Sequence, residues 1–112
     1  MSGITSHVLD TSLGKPASGI EIALERVGDD SDWQPVGSGT TDDDGRCPGL
    51  TGGNIEAGHY RINFMVADYF KRQGVSAFYP VVRIEFTVSD AQQHYHVPLL
   101  LNPFGYSTYR GS

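Results

Sequence analysis

The stretch HYHVPLLL, His94 to Leu101, sets two imidazoles two residues apart. Side chains alternate along an extended chain, so His94 and His96 share a face with Pro98 and Leu100, while Tyr95, Val97 and Leu99 share the other. With the second face in the core, both imidazoles point outward, into solvent or toward another subunit. Imidazole exchanges protons near neutral pH, because its unperturbed pKa is about 6.5, and it is also a common zinc ligand. No cysteine or carboxylate at ligand spacing accompanies the pair, so a metal is not expected. Two ordinary histidines on an edge strand fit this stretch equally well.

Other segments carry further candidates. His7, in TSHVLD, sits on an expected strand beside Val8 and Leu9, where a satisfied half-buried residue is the plainer reading. Arg46, in DDDGRC, follows Asp42, Asp43 and Asp44, and a turn arginine paired with one of these acids is the alternative to a functional cation. The acids suit a turn better than a Ca²⁺ loop, which wants a longer ligand pattern and a bidentate Glu. The chain closes on YSTYRGS, an aromatic and charged tail where most termini fray. Counting by twos puts Tyr106, Thr108 and Arg110 on one face and Ser107, Tyr109 and Gly111 on the other. The short connection LNPFG lets this segment run antiparallel to HYHVPLLL, so the tail can reach the histidines.

The elements that must hold these groups are strands. Ile20, Ile22 and Leu24 alternate with Glu21, Ala23 and Glu25; Tyr60, Ile62, Phe64 and Val66 alternate with His59, Arg61 and Asn63; Val82, Ile84, Phe86 and Val88 alternate with Arg83, Glu85 and Thr87. Each pattern gives one apolar and one wet face. Weaker strand patterns are SHVLD, QPVGSGTT, HYHVPLLL and GYSTYR, and the turn-forming segments SLGKPASG, GDDSD, TDDDGR, TGGN and LNPFG separate them. Only ADYFKRQG, Ala67 to Gly74, reads as a short helix, with Gly74 placed to end it. Seven or eight short strands at this spacing predict an all-β fold, an antiparallel β-sandwich.

Composition narrows the function classes. The 112 residues have room for one domain, 1–112, with a single core. No apolar run approaches the roughly 20 residues of a membrane span. The N-terminus lacks a basic region followed by an apolar one, so a cytoplasmic location is the default. A formal net charge of −5, with no cluster of Lys or Arg, argues against nucleic acid or an anionic membrane as partner. The single cysteine, Cys47, cannot form an internal disulfide and reads as a small buried residue rather than a catalytic thiol.

The segments SHVLDTSLGKPASGI, TDDDGRCPGLTGG and HYHVPLLLNPFGYSTYRGS together resemble the signature regions of the 5-hydroxyisourate hydrolases, transthyretin-related enzymes of purine degradation, and the likeness spans nearly the whole chain. The terminal YRGS is its most specific element. The resemblance implies a transthyretin-like sandwich assembled as a homotetramer, a dimer of dimers, with active sites lined from two subunits at the mouths of central channels. It places the catalytic roles on His7, Arg46 and His96, and a substrate-binding role on Tyr109, Arg110, Gly111 and Ser112; His94 lies in the signature without a catalytic assignment. On this reading the tail is folded into the active-site wall. The implied reaction opens the six-membered ring of 5-hydroxyisourate by attack of water at C6 and cleavage of the bond to N1, giving 2-oxo-4-hydroxy-4-carboxy-5-ureidoimidazoline. An imidazole would accept the proton from water, and Arg46 or Arg110 would stabilise negative charge; no metal or organic cofactor is implied.

Two other classes compete. A transthyretin-like carrier of small aromatic ligands would share the fold, but its channel should be lined by apolar and small hydroxyl residues, whereas His7, Arg46, His96 and Tyr109 make this one polar. An immunoglobulin-like adhesion module is disfavoured by the missing cysteine pair and by the placing of Trp33 in the expected turn DDSDWQP.

Overall fold

The computed structural model describes residues 3–28, 30–51 and 54–111. The strands are β1 (Gly3–Asp10), β2 (Lys15–Pro16), β3 (Glu21–Val27), β4 (Trp33–Thr40), β5 (Gly58–Met65), β6 (Val82–Val88), β7 (His94–Asn102) and β8 (Gly105–Thr108), with one helix, α1 (Ala67–Arg72). They form two four-stranded sheets, ordered β2, β1, β7, β8 and β4, β3, β5, β6. Between them lies the core set by the alternating patterns: Ile4 and Val8 of β1, Ile22 and Leu24 of β3, Tyr60, Ile62 and Phe64 of β5, and Tyr95, Val97, Leu99 and Leu101 of β7 are all buried. Phe86 is only partly buried and stacks on Tyr60.

The all-β sandwich with one short helix matches the sequence expectation. Helix α1 ends as Gly74 predicts: that residue takes φ +70, and the bonds from Gly74 N to Lys71 O and from Val75 N to Phe70 O close the helix in a Schellman arrangement. Three details differ. Trp33 is not in a turn but opens β4 opposite Val27, where its ring lies under the Arg61 guanidinium at 4.1 Å. The segment read as the turn SLGKPASG contains the two-residue strand β2, paired to the end of β1. The pairing of β1 with β7 is parallel, inside a sandwich whose other pairings are antiparallel.

That parallel pairing positions the candidate site. It sets Gly3 opposite His94, Thr5 opposite His96 and His7 opposite Pro98. Ile4, Ser6, Val8 and Asp10 of β1 are buried, while Thr5, His7 and Leu9 between them are half-buried, which puts Thr5 and His7 on the outer face with the two imidazoles of β7. One sheet face thus collects side chains from the two ends of the chain.

Candidate active site

The outer face of β1 and β7 holds Thr5 between two rings. Its Oγ1 lies 3.0 Å from His94 Nε2 and 2.8 Å from His96 Nδ1. Beside this cluster the turn after β4 brings in Arg46. Asp42 builds the turn: its carboxylate accepts from the backbone N–H of Asp44 at 2.9 Å and of Arg46 at 3.0 Å, and Asp42 N donates to Arg46 O at 2.8 Å. Asp42 therefore holds the backbone of the turn. Among the described residues no ion pair involves Arg46, whose side chain stays exposed. The alternative of a turn arginine neutralised by its neighbouring acids does not describe this arrangement.

The turn is docked on β1 by the bond from Val8 N to Gly45 O, 2.8 Å, and by a bridge between His7 and Arg46. Gly45 has φ +78, and a Cβ there would run into the Val8 carbonyl oxygen, so only glycine lets the turn lie this close. His7 Nε2 donates to the Asp44 carbonyl at 2.7 Å, which ties the ring to the same turn. Thr5, Asp42, Arg46, Cys47, His94 and His96 line an open recess of about 390 Å³.

The tail reaches the histidines as its spacing predicts. Strand β8 pairs with β7, Thr108 Oγ1 donates to Pro98 O at 2.7 Å, and beyond the strand Gly111 N donates to His96 O at 2.8 Å. A Cβ on Gly111 would approach His96 Cδ2 to 2.6 Å, so the glycine is what allows the tail to pack flat on the imidazole. Arg110 points elsewhere. Its guanidinium lies 4.5 Å over the Tyr95 ring and donates to Gln93 Oε1 at 2.9 Å. Together with the exposed Tyr109 it borders a second, smaller recess of about 230 Å³, with Phe86, Val97 and Thr108; His96 lines both. Ser112 lies outside the described residues.

His7, Arg46, His96 and Gly111 are thus brought together, while Tyr109 and Arg110 stand on the far side of His96. Electrostatics favours a neutral His96. Burial comes first, and then the repulsion that His7, His94 and Arg46 exert whenever they are charged; together these push its pKa below the ordinary histidine value. Cys47 is buried at the back of the recess, and burial with the nearby Asp42 charge raises its thiol pKa, which fits a packing role rather than a nucleophile. Thr5 was not marked by its sequence context, whereas alternation had already set His94 on one strand face with His96. The one signal available was that Thr5 stands two residues before His7, hence on the same strand face.

Comparison with known proteins identifies the lineage. The profile of the HIUase/Transthyretin family matches residues 4–111. The chain is 48% identical to the 5-hydroxyisourate hydrolase of Deinococcus radiodurans, over 98% of this chain and 96% of that protein. Among solved structures, it is similar to Klebsiella pneumoniae 5-hydroxyisourate hydrolase, with a TM-score of 0.87 at 32% identity, covering 100% of this chain and 94% of that one. It is also similar to sea bream transthyretin in complex with thyroxine, with a TM-score of 0.90 at 30% identity, covering 96% and 93%. The fold is common to the hydrolase and to the thyroxine-bound transthyretin, so only the side chains on it can separate the two. By the match along almost its whole length, this chain belongs to the HIUase/Transthyretin family.

Proposed function

We propose that this protein hydrolyses 5-hydroxyisourate at the face formed by His7, Arg46 and His96. The observation that carries the reading is the company His96 keeps: a ring held by Thr5, beside a guanidinium with no described acid paired to it. A channel for a small aromatic ligand has no need of unpaired cations and imidazoles, whereas water attack on a carbonyl needs a base and a fixed positive charge. The full-length relatives named as hydrolases support the same choice. In this reaction an imidazole takes a proton from water, oxygen bonds to C6, and the bond to N1 breaks to give 2-oxo-4-hydroxy-4-carboxy-5-ureidoimidazoline. Arg46 steadies the negative charge that develops on oxygen, since guanidinium stays protonated and offers planar donors. These steps call for neither a metal nor an organic cofactor.

The working form is a homotetramer in the cytoplasm. The open recess, and the exposed apolar side chains Leu13, Phe104 and Tyr106 along the same sheet and its turns, support association of copies. Substrate binding by Tyr109, Arg110, Gly111 and Ser112 fits this assembly, because a subunit boundary would let groups beyond His96 face the ligand. No described helix is long and apolar enough to cross a membrane.

The test is to generate 5-hydroxyisourate from urate with a urate oxidase, add the protein, and follow the substrate's ultraviolet absorbance. Decay well above the spontaneous rate, lost in His96→Asn, is expected. No acceleration by well-folded protein would reject the hydrolase and direct attention to a carrier, for which a ligand-binding screen is the next experiment.

A further inference from the structure

We infer that Thr5 is a positioning residue whose single hydroxyl proton, held between two rings, sets His96 as the Nε2–H tautomer and makes it a neutral hydrogen-bond donor, leaving the role of base to His7. The catalytic part of this inference rests on the hydrolase reading; the tautomer part rests on hydrogen-bond accounting alone.

A hydroxyl has one proton to give and two lone pairs to receive with. Thr5 Oγ1 contacts His94 Nε2 at 3.0 Å and His96 Nδ1 at 2.8 Å. If both rings donated to Thr5, its own proton would be left without a described acceptor. One ring therefore donates to Thr5 and the other accepts from it. His94 decides which, because its Nδ1 is buried and has no partner among the described residues. Were His94 to accept at Nε2, its proton would sit on Nδ1 as an orphaned interior N–H, which folded proteins avoid more strictly than an unmatched acceptor. The proton of His94 is therefore on Nε2 and points at Thr5. Thr5 in turn donates to His96 Nδ1, and the remaining proton of neutral His96 is on Nε2, the nitrogen that no described residue engages.

His7 has the complementary arrangement. Its Nε2 faces the Asp44 carbonyl, which can only accept, so the His7 proton is on Nε2 and the lone pair on Nδ1. Of the two rings, His7 has a nitrogen able to take a proton and His96 a nitrogen able to donate a hydrogen bond. In the reaction, water passes a proton to His7 Nδ1 as its oxygen bonds to C6. The His7 imidazolium returns that proton to N1 as the bond between C6 and N1 breaks. His96 Nε2–H donates to the charged oxygen throughout and keeps its proton, as a neutral imidazole can when its pKa is held down.

Nitrogen NMR of histidine-labelled protein, at a pH above the His96 titration, distinguishes protonated from bare ring nitrogens. The expected result is a bare Nδ1 and a protonated Nε2 on both His7 and His96; a His96 protonated on Nδ1 overturns the inference. In Thr5→Val, kcat is expected to fall on the order of tenfold with KM little changed, and Thr5→Ser to restore it. Thr5→Val with wild-type kcat would remove Thr5 from its positioning role. Should Thr5→Val fail to fold, the wild-type spectrum and the Ser variant still decide the matter. A wild type that is inert but has the expected tautomers would overturn the hydrolase reading and the base role of His7 while supporting the lock.

Discussion

The two outer faces of the sandwich use the same residue types to opposite ends. On the sheet of β3, β4, β5 and β6, Glu25 accepts from Arg61 Nε at 2.7 Å and from Asn63 Nδ2 at 2.6 Å, and Asn63 Oδ1 accepts from Arg83 Nε at 2.7 Å. His59 meets Glu85 at 2.7 Å. On the sheet of β1, β2, β7 and β8, His7, His94, His96 and Arg46 gather with no carboxylate bonded to any of their side chains among the described residues. A histidine beside a glutamate completes a surface, whereas a histidine beside an unpaired guanidinium is left with an electrostatic demand that an incoming electron-rich ligand can meet. The difference separates architecture from function more clearly than residue identity does.

The contrast is broken most severely by removing its unpaired members. His96→Asn and Arg46→Ala are expected to keep the fold and lower turnover a hundredfold or more, read from the decay of enzymatically generated substrate; near-normal turnover would take that residue out of the mechanism. Gly111→Ala tests the wall behind the ring. A Cβ 2.6 Å from His96 Cδ2 must displace the ring or the tail, and a fall in kcat of roughly tenfold is expected, with the circular-dichroism spectrum unchanged. Wild-type kinetics in this variant would mean that the contact relaxes at no catalytic cost.

Next come effects on stability. Asp10 is the carboxylate that the histidine sheet does possess, but it is turned inward. Burial pushes its pKa up, yet hydrogen bonds from Ser12, Tyr69 and Leu13 outweigh that and hold it below the ordinary value. Because the folded state binds this proton more weakly than the unfolded one, the stabilisation is whole above about pH 3.9 and is lost as pH falls through the lower folded value. Asp10→Asn should cost about 1 to 3 kcal/mol in denaturant melts at pH 7 and flatten their dependence at acid pH. His96 works in the same direction at higher pH. Its depressed pKa means that the unfolded chain protonates first, so stability declines as pH drops from about 6.5 toward the folded value, a slope that His96→Asn should reduce. The smallest effect belongs to the paired face: Glu25→Gln should cost about 1 kcal/mol or less and leave turnover intact, and a large loss of activity there would dissolve the contrast.

Much of this was readable from one dimension because period-two patterning is local. The core faces of β3, β5 and β7, the outward turn of His94 and His96, the glycine that ends α1 and the approach of the tail to the histidines all follow from alternation and turn chemistry. What escaped depends on pairing between distant segments. Nothing near Thr5 announces a parallel partner at β7, so its contact with both rings had no signature. Trp33 looked like part of a turn because its neighbours are aspartates; its place at the start of β4 is set by Val27 and Arg61. The side of the sheet to which Arg110 turns is set by Tyr95 and Gln93, not by its motif.

The parallel alignment of β1 with β7 has a kinetic implication. Thr5 and His96 are separated by 91 positions, so a loop spanning most of this domain must close before they meet. Contacts of such long range form slowly, since their entropic cost falls due before any reward. On the ribosome, the first strand must wait for the 91 positions between Thr5 and His96 to be made before its partner exists. Catalytic competence would then be among the last properties acquired, and its appearance during refolding would time the completion of the entire sandwich.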